Sequence, residues 1–268
     1  MSEKRKTPVL ELRNLSVVYK SRGQSPVWAV KNVSLCVRRG KSLGIVGESG
    51  CGKTSLARAV MGIQPPQNGA ILFKGEDISR FTPEEQTRYR RKTQMIFQDA
   101  VGSLNPRMTT RQTLTEVLAV HKICERTEIS RRVSELIDRV ALPEKLLDAY
   151  PREMSGGQCQ RVSIARCLAL QPELIIADEP VSALDVSVQA RILNLLRELQ
   201  QDLNLALILI SHDLAVVRHV CDDVTVMLQG EFVENGRTTE VLENPLHDYT
   251  RELLSAVPDV RRALNEHK

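Results

Sequence analysis

The amino-acid sequence predicts an α/β fold in which a parallel β-sheet carries a phosphate-binding loop. The first observation is a short apolar run at 43–46, followed by a glycine loop at 47–52 and a helical pattern at 55–61. Strand, glycine loop and helix in that order are the context that a phosphate loop requires. The second observation is two more apolar runs, 174–177 and 205–210. Such continuous runs are typical of parallel strands covered on both faces.

Two segments depart from this pattern and predict additions to the core sheet. Residues 10–19 and 30–37 alternate apolar with polar side chains, which indicates an N-terminal antiparallel β subdomain of half-buried strands. From about 109 to 165 the sequence becomes helical and charged, which predicts an α-helical subdomain inserted in the core. Farther along, 224–233 favours a hairpin that turns at Gln229 and Gly230.

Length and composition limit the class of protein. A chain of 268 residues suits one large α/β domain, which we place at 8–258 with flexible ends at 1–7 and 259–268. No apolar run approaches the roughly 20 residues of a spanning helix, so we expect a soluble, cytoplasmic protein. The net charge of +4 is too small to indicate nucleic-acid binding. Six cysteines without a CxxC pair indicate neither a zinc site nor a disulfide scaffold.

The glycine loop and its neighbours form the candidate nucleotide site. The positions assigned to cofactor binding are Gly47, Glu48, Ser49, Gly50, Cys51, Gly52, Lys53, Thr54 and Ser55. Glycines let backbone N–H groups close around phosphate oxygens, and Lys53 is long enough to reach the outer phosphates. The hydroxyl of Thr54 is placed to bind Mg²⁺. Cys51 sits where a helix N-terminus could lower the pKa of a thiol, but we favour its interpretation as a small filler.

A buried strand ends in two adjacent carboxylates, Asp178 and Glu179. Because successive strand side chains point to opposite faces, the pattern predicts different roles for them. Asp178 suits the Mg²⁺ shell, since hard cations prefer oxygen ligands. Glu179 suits the base that polarises the attacking water. A strand ending in solvated acids is the alternative, and the phosphate loop upstream disfavours it.

Two polar residues follow other predicted strands. His212 comes directly after the run 205–210, at the sheet edge where open α/β folds bind ligands. A structural histidine is the alternative to the γ-phosphate sensor that we favour. Gln98 follows the short apolar run 95–97 and can present its amide to Mg²⁺ or to water.

A second glycine motif, Ser155, Gly156, Gly157 and Gln158, precedes a predicted helix. Ser155 can cap this helix, and the glycines leave its N-terminus open to an anion. A capped helix without a ligand is the alternative, and it leaves unexplained the two glycines followed by glutamine. We therefore predict that these four residues also bind nucleotide.

Together these motifs resemble the nucleotide-binding subunits of ABC transporters, from Leu10 to about Pro258. The resemblance implies a P-loop NTPase fold, with Walker A at 47–54, the Q-loop at Gln98, the signature at 154–158, Walker B at 174–178, the catalytic glutamate at Glu179, the D-loop at 182–185 and the switch histidine at His212. It also implies that Tyr19 stacks on adenine, a use consistent with its flat ring.

A narrower resemblance is to the ATPases of dipeptide, oligopeptide and nickel importers. It rests on the segments 97–99, 103–106, 150–151, 179–190 and 249–258. The chain departs from that group at Ala100, where proline is usual, and at Met154, where leucine is usual. No cysteine follows Cys221 and the chain stops soon after Pro258, a short form that looks more like the second ATPase of a nickel-type importer.

The resemblance implies ATP and Mg²⁺ as cofactors and hydrolysis coupled to uptake of peptides or nickel. It implies a head-to-tail dimer with a second ABC ATPase subunit, for which the narrower group favours a paralogue. It further implies two transmembrane permease subunits, an extracytoplasmic substrate-binding protein, and a peripheral location at the cytoplasmic face of the inner membrane. The alternative is a soluble ABC-type ATPase acting on nucleic acid or ribosomes. We disfavour it because such proteins need a long coiled-coil insertion or two cassettes.

Overall fold

The computed structural model describes residues 7–20 and 25–255. The strands are β1 (Leu10–Tyr19), β2 (Val27–Val37), β3 (Ser42–Val46), β4 (Asn68–Phe73), β5 (Glu76–Asp77), β6 (Thr93–Ile96), β7 (Leu174–Asp178), β8 (Ala206–Ser211), β9 (Asp223–Leu228) and β10 (Glu231–Arg237). The helices are α1 (Lys53–Val60), α2 (Pro83–Lys92), α3 (Ala100–Ser103), α4 (Thr110–Val120), α5 (Ile129–Arg139), α6 (Gly156–Ala169), α7 (Val186–Asp202), α8 (Leu214–Val220), α9 (Thr238–Glu243) and α10 (Asp248–Ser255).

The central sheet has six strands in the order β10-β9-β3-β8-β7-β6. From β9 to β6 every neighbouring pair is parallel, which confirms the predicted parallel core. Only β10 runs antiparallel, because it forms the predicted hairpin with β9. Gln229 and Gly230 at the turn both have positive φ angles, 46° and 90°, as a two-residue hairpin turn requires.

Apolar side chains of the central sheet alternate between two separate cores. On β7, Ile175 and Ala177 pack with the helices α4 to α8, whereas Leu174 and Ile176 pack with α1 and the N-terminal strands. All four are nearly inaccessible to solvent. Burial on both faces explains why the sequence here is a continuous apolar run rather than an alternating one.

The N-terminal strands form a second sheet, which is antiparallel and has the order β2-β1-β4-β5. The predicted antiparallel β subdomain is therefore present, and β1 is buried over more of its length than a half-buried strand would be. The helix after the glycine loop begins at Lys53, two residues before the predicted start. The ends assigned as flexible lie outside the described residues, apart from Thr7.

Helices fill the segment between β6 and β7, where an inserted subdomain was expected. They begin with the short α3 and end with α6, whose C-terminal residue is Ala169. Within the described part of the chain, no helix has the length and apolar character that crossing a membrane requires.

The C-terminal helix α10 is anchored to the hairpin by the carboxylate of Glu234. This side chain accepts hydrogen bonds from the backbone N–H groups of Leu246 (2.8 Å) and His247 (3.0 Å). Burial of the carboxyl opposes its ionisation, but these two amides hold the pKa of Glu234 below its ordinary value. The ionised carboxylate therefore joins β10 to the turn that precedes α10.

Glu234→Gln is expected to destabilise the protein at pH 7 by about 1–2 kcal/mol, since bonds to a charged acceptor are worth roughly 1.5–3 kcal/mol. A lowered folded-state pKa gives stability that is present above the unfolded pKa and lost as the pH falls through the folded pKa. The difference in the free energy of unfolding between wild type and variant should therefore shrink below about pH 4.3, the ordinary glutamate pKa. Urea unfolding at pH 7 and pH 4 measures this. An equal gap at both pH values would contradict the charged anchor.

Candidate ATP site

The register of the central sheet brings the ends of four strands to one edge. Val46 pairs with Ser211, Asp178 with Ile210, and Ile96 with Ala177. The residues that follow these strand ends are the glycine loop after β3, His212 after β8, Glu179 after β7 and Gln98 after β6. The sequence-predicted phosphate loop and its three polar neighbours therefore share the carboxyl edge of the sheet, where α/β folds bind ligands.

The glycine loop approaches neighbouring backbone so closely that two of its positions have no room for a side chain. A Cβ atom on Gly47 would lie 2.1 Å from the carbonyl oxygen of Met227, and one on Gly52 would lie 2.1 Å from that of Ala29. Their φ angles of 155° and 114° are also rare for residues with a side chain. The loop is therefore shaped by contacts with β9 and β2 as well as by its own sequence.

Lys53, the first residue of α1, lies inside the loop. It is 5 % exposed, and its ammonium group donates hydrogen bonds to the carbonyl oxygens of Gly47 (2.6 Å) and Glu48 (2.8 Å). A buried cation held by carbonyl dipoles at a helix N-terminus is a site that favours an anion. This arrangement suits the outer phosphates of a nucleotide.

Cys51 is a buried residue of the loop, for which the sequence left two interpretations open, a thiol with a lowered pKa and a small filler. Its Sγ lies 3.8 Å from Nζ of Lys53. Burial nevertheless raises the pKa of the thiol, and the nearby ammonium only partly opposes this. The raised pKa favours the filler interpretation over a thiol activated by the helix N-terminus.

Asp178 is the last residue of β7 and is 7 % exposed. Burial raises the pKa of its carboxyl, the charge of Glu179 raises it further, and Thr54 and Lys53 partly oppose the rise. A divalent cation would favour the ionised form of such a carboxyl. The donor set of a buried carboxylate near the hydroxyl of the exposed Thr54 fits Mg²⁺, which prefers oxygen ligands and keeps several waters. Among the described residues, no cluster of three or more His, Cys, Asp or Glu side chains forms a separate metal site.

Glu179 lies just beyond the strand, in a backbone conformation that the sequence did not reveal. Its φ angle is 47°, which is uncommon for a residue with a side chain. Three hydrogen bonds hold it there: its N–H donates to the carbonyl of Ile210, and its own carbonyl accepts from the N–H and the hydroxyl of Ser182. The alternation argument for Asp178 and Glu179 was therefore wrong in its geometry, because only Asp178 belongs to β7. A strained residue held by several bonds is a feature of functional sites.

His212 and Glu179 are in contact. Nδ1 of His212 lies 3.3 Å from Oε2 of Glu179, and the histidine side chain is 59 % exposed whereas that of the glutamate is 19 % exposed. The exposed imidazole suits a group that meets a ligand better than it suits a structural histidine. Gln98 is also exposed, two residues beyond the end of β6. The side chains of His212 and Gln98 are therefore both accessible to a ligand.

Tyr19 is the last residue of β1 and is partly buried. Its ring packs against the core formed by α1 and the N-terminal strands, and its hydroxyl is buried without a hydrogen-bond partner among the described residues. The part of the ring that stays accessible is compatible with stacking, and its role toward adenine stays a prediction.

The glycine motif at 155–158 begins helix α6 as a complete capping box. Ser155 Oγ accepts from the N–H of Gln158, and Gln158 Oε1 accepts from the N–H of Ser155 at 2.8 Å. A Cβ on Gly157 would lie 2.4 Å from Cγ1 of Val188 on α7. Capping thus explains Gln158, and packing explains Gly157. A capped helix therefore accounts for these two residues, which the sequence analysis did not expect. Ser155 and Gly156 remain exposed.

The structure does not bring this motif to the phosphate loop of the same chain. No hydrogen bond joins 155–158 to 47–55 within the described residues, and the contacts of the glycines are with Leu184 and Val188 instead. The two glycine motifs are therefore separate features of one molecule.

Sequence reasoning assigned no site role to Tyr249, which contacts the phosphate loop directly. The N–H of Glu48 donates to the Tyr249 hydroxyl at 3.0 Å. Burial raises the pKa of this hydroxyl, so the tyrosine is neutral at physiological pH. The only signal was its place in the family segment 249–258.

Comparison with known proteins identifies the family. The ABC transporter family matches residues 30–182, and the family described as oligopeptide/dipeptide transporter, C-terminal region, matches residues 233–268. The oligopeptide transport ATP-binding protein AppF of Bacillus subtilis (strain 168) is 48 % identical over 261 residues, which are 95 % of this chain and 79 % of that protein. The oligopeptide transport ATP-binding protein OppF of Escherichia coli (strain K12) is 47 % identical over 259 residues, which are 93 % of this chain and 78 % of that protein.

Solved structures agree with this assignment. The dimeric ATP-binding cassette MJ0796, in a post-hydrolysis state with ADP and Pi, has a TM-score of 0.76 at 28 % identity and covers 85 % of this chain and 98 % of its own. The structure of cbiO1 from Clostridium perfringens, part of the ABC transporter complex cbiONQ, has a TM-score of 0.80 at 28 % identity, with coverage of 97 % and 99 %.

The fold and the site define a P-loop ATPase of the ATP-binding cassette class. The chain belongs to the ABC transporter family, among the ATP-binding subunits. It binds ATP and hydrolyses it. The relatives compared above are transport proteins, and they give no support to the alternative of a nucleic-acid or ribosome ATPase.

Proposed function

We propose that this chain is the ATPase subunit of a peptide importer. The observation that carries the proposal is the match to oligopeptide transport ATP-binding proteins along 93–95 % of the chain, extended by the separate match of the C-terminal region. Nickel, which the short form of the chain favoured as cargo, has no comparable support. In this proposal, the membrane subunits and the extracytoplasmic binding protein recognise the cargo.

In this proposal the phosphate loop holds ATP. The loop amides and Lys53 bind the phosphates, and Tyr19 stacks on adenine. Mg²⁺, held by Thr54 and Asp178 with Gln98 close by, would offset phosphate charge. Glu179 accepts a proton from the attacking water, and its contact with His212 orients the carboxylate toward that water. The strained backbone at Glu179 fixes the position of this base.

The motif at 155–158 serves a second ATP site in this proposal. Its residues Ser155 and Gly156 are exposed and make no hydrogen bond to the chain's own phosphate loop in the described structure, so a partner chain could present its nucleotide to them. A head-to-tail dimer with a second ABC ATPase subunit would complete both sites, and the helix N-terminus behind Ser155 favours the γ-phosphate. The dimeric MJ0796 cassette is a precedent in a structural relative. We expect the partner here to be a paralogue.

The surface beside Gln98 is where we propose that permease helices dock. Phe97 and Val101 are large apolar side chains that are 41 % and 47 % exposed, and they flank Gln98 in the segment that leads into the predicted helical subdomain, 109–165. These two side chains would give permease helices an apolar surface to contact beside Gln98. ATP-driven closure of the dimer at the cytoplasmic face of the inner membrane would then move two permease subunits. An extracytoplasmic protein delivers the peptide to these subunits from the opposite side of the membrane.

Uptake assays in a strain that lacks this gene test the proposal. The wild-type gene should restore uptake of a labelled tri- to pentapeptide, and the Glu179→Gln gene should not, although it yields the same amount of protein. Uptake of radioactive nickel should be the same in the strain with the wild-type gene and in the strain with the Glu179→Gln gene. Restored nickel uptake without peptide uptake would contradict the peptide assignment.

A further inference from the structure

The contact between the C-terminal helix and the phosphate loop carries an inference about how the ATP site is held. Tyr249 is 7 % exposed, and its hydroxyl accepts the N–H of Glu48 at 3.0 Å across 201 residues of chain. The carbonyl oxygen of Glu48 accepts a hydrogen bond from Nζ of Lys53 at 2.8 Å. Glu48 is thus held from two sides, by α10 at its amide and by the phosphate-binding lysine at its carbonyl.

Other parts of the C-terminal segment support the same loop. The N–H of Gly230, in the β9–β10 turn, donates to the carbonyl of Cys51 at 2.9 Å. The carboxylate of Glu234 on β10 fixes the turn that leads into α10. The hairpin and the helix therefore form a continuous brace from β10 to Glu48, and the region matched to the oligopeptide/dipeptide C-terminal family begins inside it, at residue 233.

We propose that Tyr249 is a positioning residue of the ATP site, which holds the phosphate loop in the shape that receives the phosphates. This positioning role rests on the proposed assignment of the loop to ATP. When Lys53 turns from the carbonyls of Gly47 and Glu48 toward a phosphate, the carbonyl side of Glu48 loses a partner. The tyrosine hydroxyl keeps the amide side in place. A preorganised loop lowers the free energy cost of binding ATP.

The expected signature is a change in affinity and not in turnover. The loop contacts the phosphates of ATP before and during hydrolysis, so loosening it weakens ground state and transition state alike. Tyr249→Phe removes the acceptor and leaves the N–H of Glu48 without this partner. A neutral hydrogen bond of roughly 0.5–1.5 kcal/mol converts to an increase of roughly 2- to 13-fold in Kd and KM for ATP. The kcat at saturating ATP should be that of the wild type.

Tyr89→Phe is the matched control. Tyr89 is similarly buried, at 4 % exposure, and its hydroxyl donates to the carbonyl of Val60 at the far end of α1. Both variants should lose thermal stability, but only Tyr249→Phe should weaken ATP binding. Equal Kd values for Tyr249→Phe and wild type would overturn the proposal, as would an equal increase in Tyr89→Phe.

A measurement on the wild-type chain tests the contact without any variant. Hydrogen exchange resolved at the amide of Glu48 should show protection in the absence of nucleotide, and this protection should persist when ATP is added. Fast exchange at this amide would overturn the proposal. A wild-type chain with protected Glu48 but no affinity for ATP would contradict the assignment of the loop to ATP, and the positioning role with it.

Discussion

Replacing Glu179 by glutamine should abolish ATP turnover and leave ATP binding intact. Glutamine has nearly the same size and can keep a contact with His212 at the present 3.3 Å, but its amide cannot take a proton from water. Loss of a positioned general base costs 10²–10⁴-fold, so we expect kcat to fall by at least about 100-fold. ATPase assays on the complete transporter, together with equilibrium binding of ATP, measure both quantities.

The control for this variant is His212→Gln, which leaves the carboxylate in place. If Glu179 is the base, and His212 orients it and senses the γ-phosphate without taking the proton, the histidine variant should retain more activity than Glu179→Gln. Near-normal hydrolysis by Glu179→Gln would contradict the assigned base. The strained backbone would then need another explanation.

Replacing Lys53 by alanine should abolish ATP binding itself. The ammonium is buried inside the loop and donates to two carbonyl oxygens, so it can transfer these bonds to phosphate without leaving the site. Two hydrogen bonds to a charged group are together worth about 3 kcal/mol or more, which corresponds to a Kd for ATP at least roughly 100-fold higher. Titration of the isolated chain with a fluorescent ATP analogue measures this directly.

Lys41→Ala is a suitable control for the loss of a positive charge. Its ammonium lies 3.6 Å from Asp222 and is largely exposed, so its contribution to stability is small. ATP affinity should be unchanged in this variant. If Lys53→Ala bound ATP as tightly as Lys41→Ala does, the loop would not be the phosphate site.

The sequence predicted those parts of the fold and site that depend on local pattern. Continuous apolar runs at 43–46, 174–177 and 205–210 indicated a parallel sheet. Because parallel strands end at one edge, the residues after those runs could be placed together before any coordinates were known. The two-residue turn at Gln229 and Gly230 was also predictable from local pattern, because Gly230 accepts a positive φ at little cost and two apolar runs flank the pair.

The features that the sequence did not predict depend on contacts between distant segments. The left-handed conformation of Glu179 is held by Ile210 and Ser182, neither of which marks position 179 as unusual. Gly157 is required by Val188 on another helix, so its role in packing was hidden behind its role in the motif. The hydrogen bond from Glu48 to Tyr249 joins segments 201 residues apart, and no pattern within either segment indicates it.

The central claim is that the phosphate loop and the glycine motif at 155–158 belong to two different ATP sites. Ser155→Asp tests it most directly. Aspartate is as good a helix cap as serine, so α6 should stay intact, but its negative charge would repel a γ-phosphate. The measurement is the Kd for ATP of the isolated Ser155→Asp chain, beside the ATPase rate of the transporter that contains it. We predict wild-type affinity in the isolated chain and loss of hydrolysis in the assembled transporter. A Kd raised as far as that of Lys53→Ala would place both motifs in one site and contradict the account.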